Sequence, residues 1–376
     1  MGSYQALGNE IASPASSLYE WHLNKKAPFE YRLLFPAIVQ SLWKTTGGGN
    51  TAFYWCYLVI SLLFLIGAAL AFFQLLLELK LSRFLSLSGV TVFLLLPPLL
   101  LAYTLPVHTR EDTLAYFLLC AGLIFLLRKQ YLQFFMISVI GALCRETLLI
   151  LPFVFLFFSK DFSFLKRGLI ASFPIITWLA LRVLVETNKA AYDPLEGFKW
   201  NLANPIQVLV FAFITFGPLW MLWLGGQKHI LRKKSEASCN EGIQMIAKSA
   251  PWALALILIT TFLGGIYNEI RLLYLGFPWV ISLSLVYVKV NQTQLRLAVN
   301  LKSYVTSVLV LILLTCIGGY FISVNKEHFL AMTQHNIPVL TWLTVGLIMT
   351  TITVAILLLF FVASRQRIIS LNFHEK

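Results

Sequence analysis

Residues 131–159 read YLQFFMISVIGALCRETLLILPFVFLFFS, and the architecture turns on whether they form one helix or two. Arg145 and Glu146 are the only charged side chains in the stretch. One long helix would place both near the bilayer centre, where ionisable groups are costly and usually pair, line a cavity or serve a function. Two helices joined at Arg145-Glu146 would have 13 or 14 residues each, about 20 Å at 1.5 Å per residue. That is too short for roughly 30 Å of hydrocarbon. The turn would then sit below the membrane surface, inside protein or a wet cavity, the setting in which irregular backbone is tolerated at depth.

The rest of the chain decides between these. Of its 376 residues 59% are hydrophobic and only 12% charged, against about 25% charged in a soluble domain. Several apolar runs reach the roughly 20 residues that cross a bilayer. The pattern is that of an all-α, polytopic transmembrane helical bundle. About eleven spans are expected, near 52–77, 84–104, 112–127, 131–144, 147–159, 168–184, 206–224, 250–266, 272–288, 303–323 and 338–362. With 131–159 split, the loops on one side carry 18 Lys and Arg and those on the other 10, while acids run the opposite way, 5 against 11. Unsplit, the later basic loops would put 14 Lys and Arg outside against 4 in the later loops turned inside, against the positive-inside rule. Two short helices are therefore favoured. The basic side is read as cytoplasmic, with the N-terminus outside and the C-terminus inside. The expected division is an extracytoplasmic segment with short helices (1–50), a transmembrane domain (51–362) and a cytoplasmic tail (363–376).

The net charge of +13 lies mostly in short loops between spans, so topology explains it and no nucleic-acid surface is indicated. The five cysteines lack metal-ligand spacing, and most fall in apolar runs as small buried hydrophobes. The first 50 residues are polar and mixed and do not read as a signal peptide. TTGGGN (45–50) lacks the Gly-Lys-Ser/Thr ending of a phosphate loop and reads as a flexible connection. Pro97-Pro98 should kink the second span. Tyr192, Phe198 and Trp200, in the outward loop 185–205, read as interfacial anchors or as a sugar platform.

Four outward places pair an arginine with a nearby carboxylate: PFEYR (Glu30, Arg32), HTRED (Arg110, Glu111, Asp112), CRET (Arg145, Glu146) and NEIR (Glu269, Arg271). Each reads either as a local ion pair or solvated loop end, or as part of a site. An acid at Asp112 also suits a helix N-terminus through the helix dipole. Taken together, the arginines suit bidentate contact with phosphate, and a carboxylate can act as general base on a hydroxyl. The candidate catalytic acids are Asp112, Glu146 and Glu111. The candidate substrate-binding residues are Arg145, Arg271, Glu269, Arg110, Arg32 and His108. No metal or other cofactor is implied: His108 has no other histidine close in sequence.

The segment HTREDTLAYFLLCAGLIFLLRKQYLQFFMISVIGALCRETLLILPFVFLF resembles the GT-C superfamily of integral-membrane glycosyltransferases. In that pattern an Asp opens a span, a basic cytoplasmic turn and a short helix follow, and a Lys or Arg precedes a second short helix. Asp112, Arg128-Lys129 and Arg145-Glu146 hold those places. APFEYRLLFPAIV (27–39) is similar to a segment in the first outward loop of uncharacterised bacterial relatives. The resemblance covers roughly residues 27–160, and the rest by topology alone. It implies a bacterial plasma-membrane enzyme of glycan biosynthesis in the cell envelope. Such an enzyme would move a sugar from a polyprenyl-phosphate donor to an extracytoplasmic glycan or protein acceptor. In that family a carboxylate in the first outward loop usually serves as base, and a span normally precedes the loop. This chain starts in what reads as the loop, so that span, and with it the usual catalytic Asp, is expected to be absent from it. Glu10, Glu20 or Glu30 would then substitute, or Asp112 or Glu146 would do the work. A transporter or flippase of an anionic lipid-linked glycan, or an inactive membrane scaffold, would use the same arginines differently. Transporters often show internal repeats, and no clear repeat is present here.

Overall fold

The structure, a computed structural model, describes residues 32–102, 111–159, 161–184, 195–232, 240–264 and 270–291. All regular structure among these residues is helical. In chain order the helices are α1 (Leu34–Thr45), α2 (Asn50–Glu78), α3 (Arg83–Leu95), α4 (Pro97–Ala102), α5 (Asp112–Leu127), α6 (Tyr131–Cys144) and α7 (Ile150–Phe158). Then come α8 (Phe164–Leu184), α9 (Glu196–Ala203), α10 (Pro205–Phe216), α11 (Leu219–Arg232), α12 (Glu241–Gly264), α13 (Ile270–Leu273) and α14 (Phe277–Val290). Four stretches are long and apolar enough to cross a membrane: α2, α8, α12 and the continuous run Ile270–Val290. A bent pair, α10 with α11, makes a fifth if it counts as one span. Helices α3, α5 and α6 and the stretch Glu146–Phe158 are apolar but shorter. The predicted spans 303–323 and 338–362 lie outside the described residues.

The deciding stretch is split at Arg145. Helix α6 ends at Cys144, Arg145 is extended (φ −161°, ψ 137°), and a 3-10 turn over Glu146–Leu149 leads into α7. The arms fold back on each other, with the rings of Phe134 near the start of α6 and Phe155 near the end of α7 packed at 5.3 Å, tilted by 34°. Tyr131, at the open end of this hairpin, donates a hydrogen bond to the Asp161 carboxylate, and Lys129 pairs with the same group at 3.4 Å.

The basic ends of the helices meet at one end of the bundle. Arg128, after α5, binds Glu78, at the end of α2, with Nη2 2.6 Å from Oε1. Asn240, before α12, donates to the Glu78 carbonyl, and Lys289, in α14, donates to the Lys80 carbonyl. The ionic cluster described below lies at the opposite ends of α5, α6 and α14.

The register of α2 on α5 sets the depth of that cluster. The two run parallel, with Gly67 against the Phe117 ring and Glu78 against Arg128, so that partners differ by 50 in number. Asp112 therefore stands level with about Leu62, and α2 continues from there back to Asn50, roughly 18 Å further. Helix α1 covers this extra height. Phe35 packs on Tyr57 (4.9 Å) and Phe64 (6.2 Å), and Trp43 packs on Phe53 (5.8 Å) near the top. With Tyr54 and Trp55, Trp43 forms an aromatic group of the kind found at membrane interfaces. The glycines 47–49 that join α1 to α2 all have positive φ, which makes a tight connection there.

Helix α14 is the central element, with Trp279, Val280 and Ile281 fully buried, whereas α8 is peripheral and exposes Leu165, Leu169 and Val183. Close approach of α11 to α14 depends on Gly226: a Cβ there would lie 2.1 Å from the Leu283 carbonyl oxygen. Small residues at helix interfaces permit such contact in membranes. Some interior polar side chains that this packing brings together pair locally. Trp279 Nε1 donates to Ser249 Oγ (3.0 Å), and Gln227 Nε2 donates to the Ala247 carbonyl (2.6 Å).

Two sequence expectations need correction in detail. The second span is broken rather than kinked. Leu96 is extended (ψ 146°), because the residue before a proline is driven out of the α region. The span predicted over 206–224 is also interrupted. Gly217, at φ +50°, separates α10 from α11, the two halves are bent by 72°, and α11 runs on to Arg232 where a loop was expected.

Candidate functional site

Three of the motif arginines, Arg32, Arg145 and Arg271, are paired with carboxylates from other motifs. Arg32, just ahead of α1, places Nη1 2.9 Å from Glu111 Oε1 and Nη2 3.0 Å from Glu146 Oε1. Asp112, the first residue of α5, accepts from Arg271 Nη1 through Oδ2 at 3.0 Å. Its other oxygen, Oδ1, contacts Arg145 Nη1. Two carboxylates thus share Arg32, and two arginines share Asp112. The described cluster holds three cations and three anions, so it is balanced when every member is ionised.

Local structure explains why each group points inward. Asp112 opens α5, where the helix dipole favours an acid. Arg145 occupies the break between α6 and α7, where the extended backbone interrupts the helix, and Glu146 begins the 3-10 turn. Arg271 belongs to the short helix α13 at the head of the central span. The members come from positions 79, 114 and 159 residues apart, so the cluster ties α1, α5, the α6–α7 hairpin and α13 together.

Burial separates the six residues. Arg32, Glu111, Asp112, Arg145 and Arg271 are each 5% exposed or less. The Glu146 side chain is 28% exposed and forms the open edge of the cluster. Arg145 is the least satisfied: its Nε and Nη2 are buried and meet no hydrogen-bond acceptor among the described residues. Buried polar groups are normally paired, so unused guanidinium donors at this depth point to an acceptor that the described side chains do not supply.

An aromatic floor lies one turn below. Tyr116 follows Asp112 by four residues and Tyr274 follows Arg271 by three, with their rings edge to face at 5.4 Å. Phe93, Phe216 and Phe277 pack around Tyr274. The Tyr274 hydroxyl donates to the Phe93 carbonyl. That carbonyl would ordinarily accept from residue 97, which is proline and has no N–H. The tyrosine therefore repairs the break in the second span while closing the floor of the site. The sequence reading missed Tyr116 and Tyr274. Their only signal was a tyrosine one turn from a charged residue in an otherwise apolar helix.

His108, Arg110, Glu269 and Glu30 lie outside the described residues, as does Tyr192. Phe198 is half-buried, its ring edge-on to Phe262 at 5.8 Å. Cys56, Cys120 and Cys144 are buried free thiols. Among the described residues no group of three or more His, Cys, Asp or Glu side chains is placed to hold a metal ion. Comparison of the chain with protein-family models, with curated proteins and with solved structures gives no match.

Proposed function

We propose that this chain is a membrane glycosyltransferase that moves a sugar from a polyprenyl-phosphate donor to an acceptor outside the membrane. Arg145 carries the reading. A fully buried guanidinium, well below the head of the longest helix, holds two donor nitrogens without an acceptor among the described residues. Phosphate oxygens match the planar fork of arginine. A polyprenyl-phosphate sugar brings such oxygens to this depth, because its tail is anchored in the bilayer. Arg271, linked to Arg145 through Asp112, adds positive charge beside the same place, and Glu146 offers a carboxylate at the open edge. The GT-C likeness of residues 27–160 agrees with this arrangement. In the proposed orientation the basic helix ends face the cytoplasm and the cluster faces outward, as the positive-inside rule requires.

The test is reconstitution of the purified chain in proteoliposomes with a panel of polyprenyl-phosphate hexoses and pentoses and an acceptor-containing membrane extract. Release of polyprenyl phosphate is expected, and R145A should abolish it. Movement of intact donor between leaflets without its consumption would overturn the transferase reading in favour of a flippase. Neither release nor movement would leave a scaffold.

A further inference from the structure

Resting on that reading, we infer that Glu146 is the carboxylate that contacts the acceptor hydroxyl and takes its proton. Three acids stand in the cluster, and their surroundings separate their roles. Asp112 is 3% exposed, with one oxygen accepting from Arg271 and the other in contact with Arg145. Each oxygen faces an arginine, the side chain is closed off from outside, and the helix that it opens fixes its position. Glu111 is 4% exposed and is bound through Oε1 to Arg32. A general base must come within hydrogen-bond reach of the proton that it removes. Neither of these groups can be approached from outside the cluster.

Glu146 can. Its side chain is 28% exposed, and Arg32 Nη2 holds Oε1 at 3.0 Å. Arg32 is itself braced by Glu111, so the contact orients the Glu146 carboxylate. Glu146 also follows Arg145 directly in the chain. A phosphate on Arg145 and an acceptor on Glu146 would thus be held from consecutive residues of one chain break whose extended backbone turns their side chains apart, on the two sides of the sugar carbon at which displacement occurs. In the step, Glu146 takes the proton of the acceptor O–H, and the acceptor oxygen forms its bond to the anomeric carbon. The bond from that carbon to the phosphate oxygen breaks, and its electron pair leaves with polyprenyl phosphate. The charge that develops on the phosphate faces the Arg145 donors. Glu146 returns its proton to water once the product departs. Asp112 holds Arg145 and Arg271 and does not touch the reacting atoms.

Carboxyl labelling of the full chain in detergent tests this without turnover. A water-soluble carbodiimide with glycine ethyl ester, read by peptide mass spectrometry, is expected to modify Glu146 before Asp112 and Glu111. Modification of Asp112 or Glu111 ahead of Glu146 would overturn the assignment. Binding of farnesyl monophosphate, followed by native mass spectrometry, separates this claim from the donor reading. Wild-type protein that binds none refutes the donor reading and leaves the carboxylate ranking measured on its own. E146Q is expected to keep farnesyl monophosphate bound while lowering polyprenyl phosphate release by roughly 100-fold or more, the range of a lost general base. E146Q that releases polyprenyl phosphate at the wild-type rate overturns the assignment and leaves the donor site standing.

Discussion

Asp112 is expected to be the most sensitive residue for stability as well as the organiser of the site. Asp112→Asn keeps the shape of the side chain and removes the charge that two buried arginines share. Breaking a buried ion pair by removing one partner costs about 3–5 kcal/mol, because the other charge stays buried. With two arginines left uncompensated, the upper end, about 5 kcal/mol, is expected. Arg271→Met should cost about 3 kcal/mol, since Asp112 retains Arg145. The double variant restores the balance, leaving Arg32 and Arg145 against Glu111 and Glu146. It should therefore cost less than the sum of the singles, with a coupling of about 2 kcal/mol or more. Reversible unfolding in mixed micelles, titrated with a denaturing detergent, measures all four corners of the cycle. Single costs below about 1 kcal/mol, or additivity within about 0.5 kcal/mol, would refute the claim that one carboxylate neutralises both arginines.

Three further outcomes follow from the packing. Tyr274→Phe should cost about 1–3 kcal/mol, because it leaves the Phe93 carbonyl buried without a donor; Pro97→Ala, which restores an N–H at position 97, should recover part of the loss in the same unfolding assay. Gly226→Ala should lower the thermal midpoint, at a cost of about 1–3 kcal/mol, since α11 and α14 must part to admit the methyl group. The hydrogen bond from Tyr131, with help from Lys129, holds the Asp161 carboxyl below its ordinary value of 3.8. Its stabilising contribution is therefore present above that value and is lost as pH falls below it. Asp161→Asn should lower stability at neutral pH, converge with the wild type at the acid end where Asp161 is protonated, and so flatten the acid limb of a stability profile.

The break at Arg145 was legible because the charge of distant loops depends on it: an unsplit stretch would invert every later loop. The arginine–carboxylate motifs were legible as types, since charges amid apolar runs stand out. Their pairing was not. Sequence placed Glu111 beside Arg110 and Glu146 beside Arg145, yet Arg32 takes both acids from 79 and 114 residues away. Such partners are set by helix register, and the parallel seating of α2 on α5 depends on the fit of Gly67 to Phe117, which hydropathy does not report. The same limit applies to span lengths. Apolar runs showed where helices lie, but proline and glycine fixed where they stop, at Leu96 and at Gly217. Helix α5 reads as a span by composition, yet its 16 residues cover only about 24 Å. That shortness puts Asp112 below the head of α2 and makes a buried ionic site there.

The most direct measurement is native mass spectrometry of the protein gently extracted from its own membranes. A polyprenyl-phosphate sugar should accompany the wild-type chain and be lost from R145A, while both remain folded. A well-folded wild-type protein that carries no lipid phosphate, or an R145A variant that retains it, would contradict the assignment of Arg145 as the donor-phosphate site.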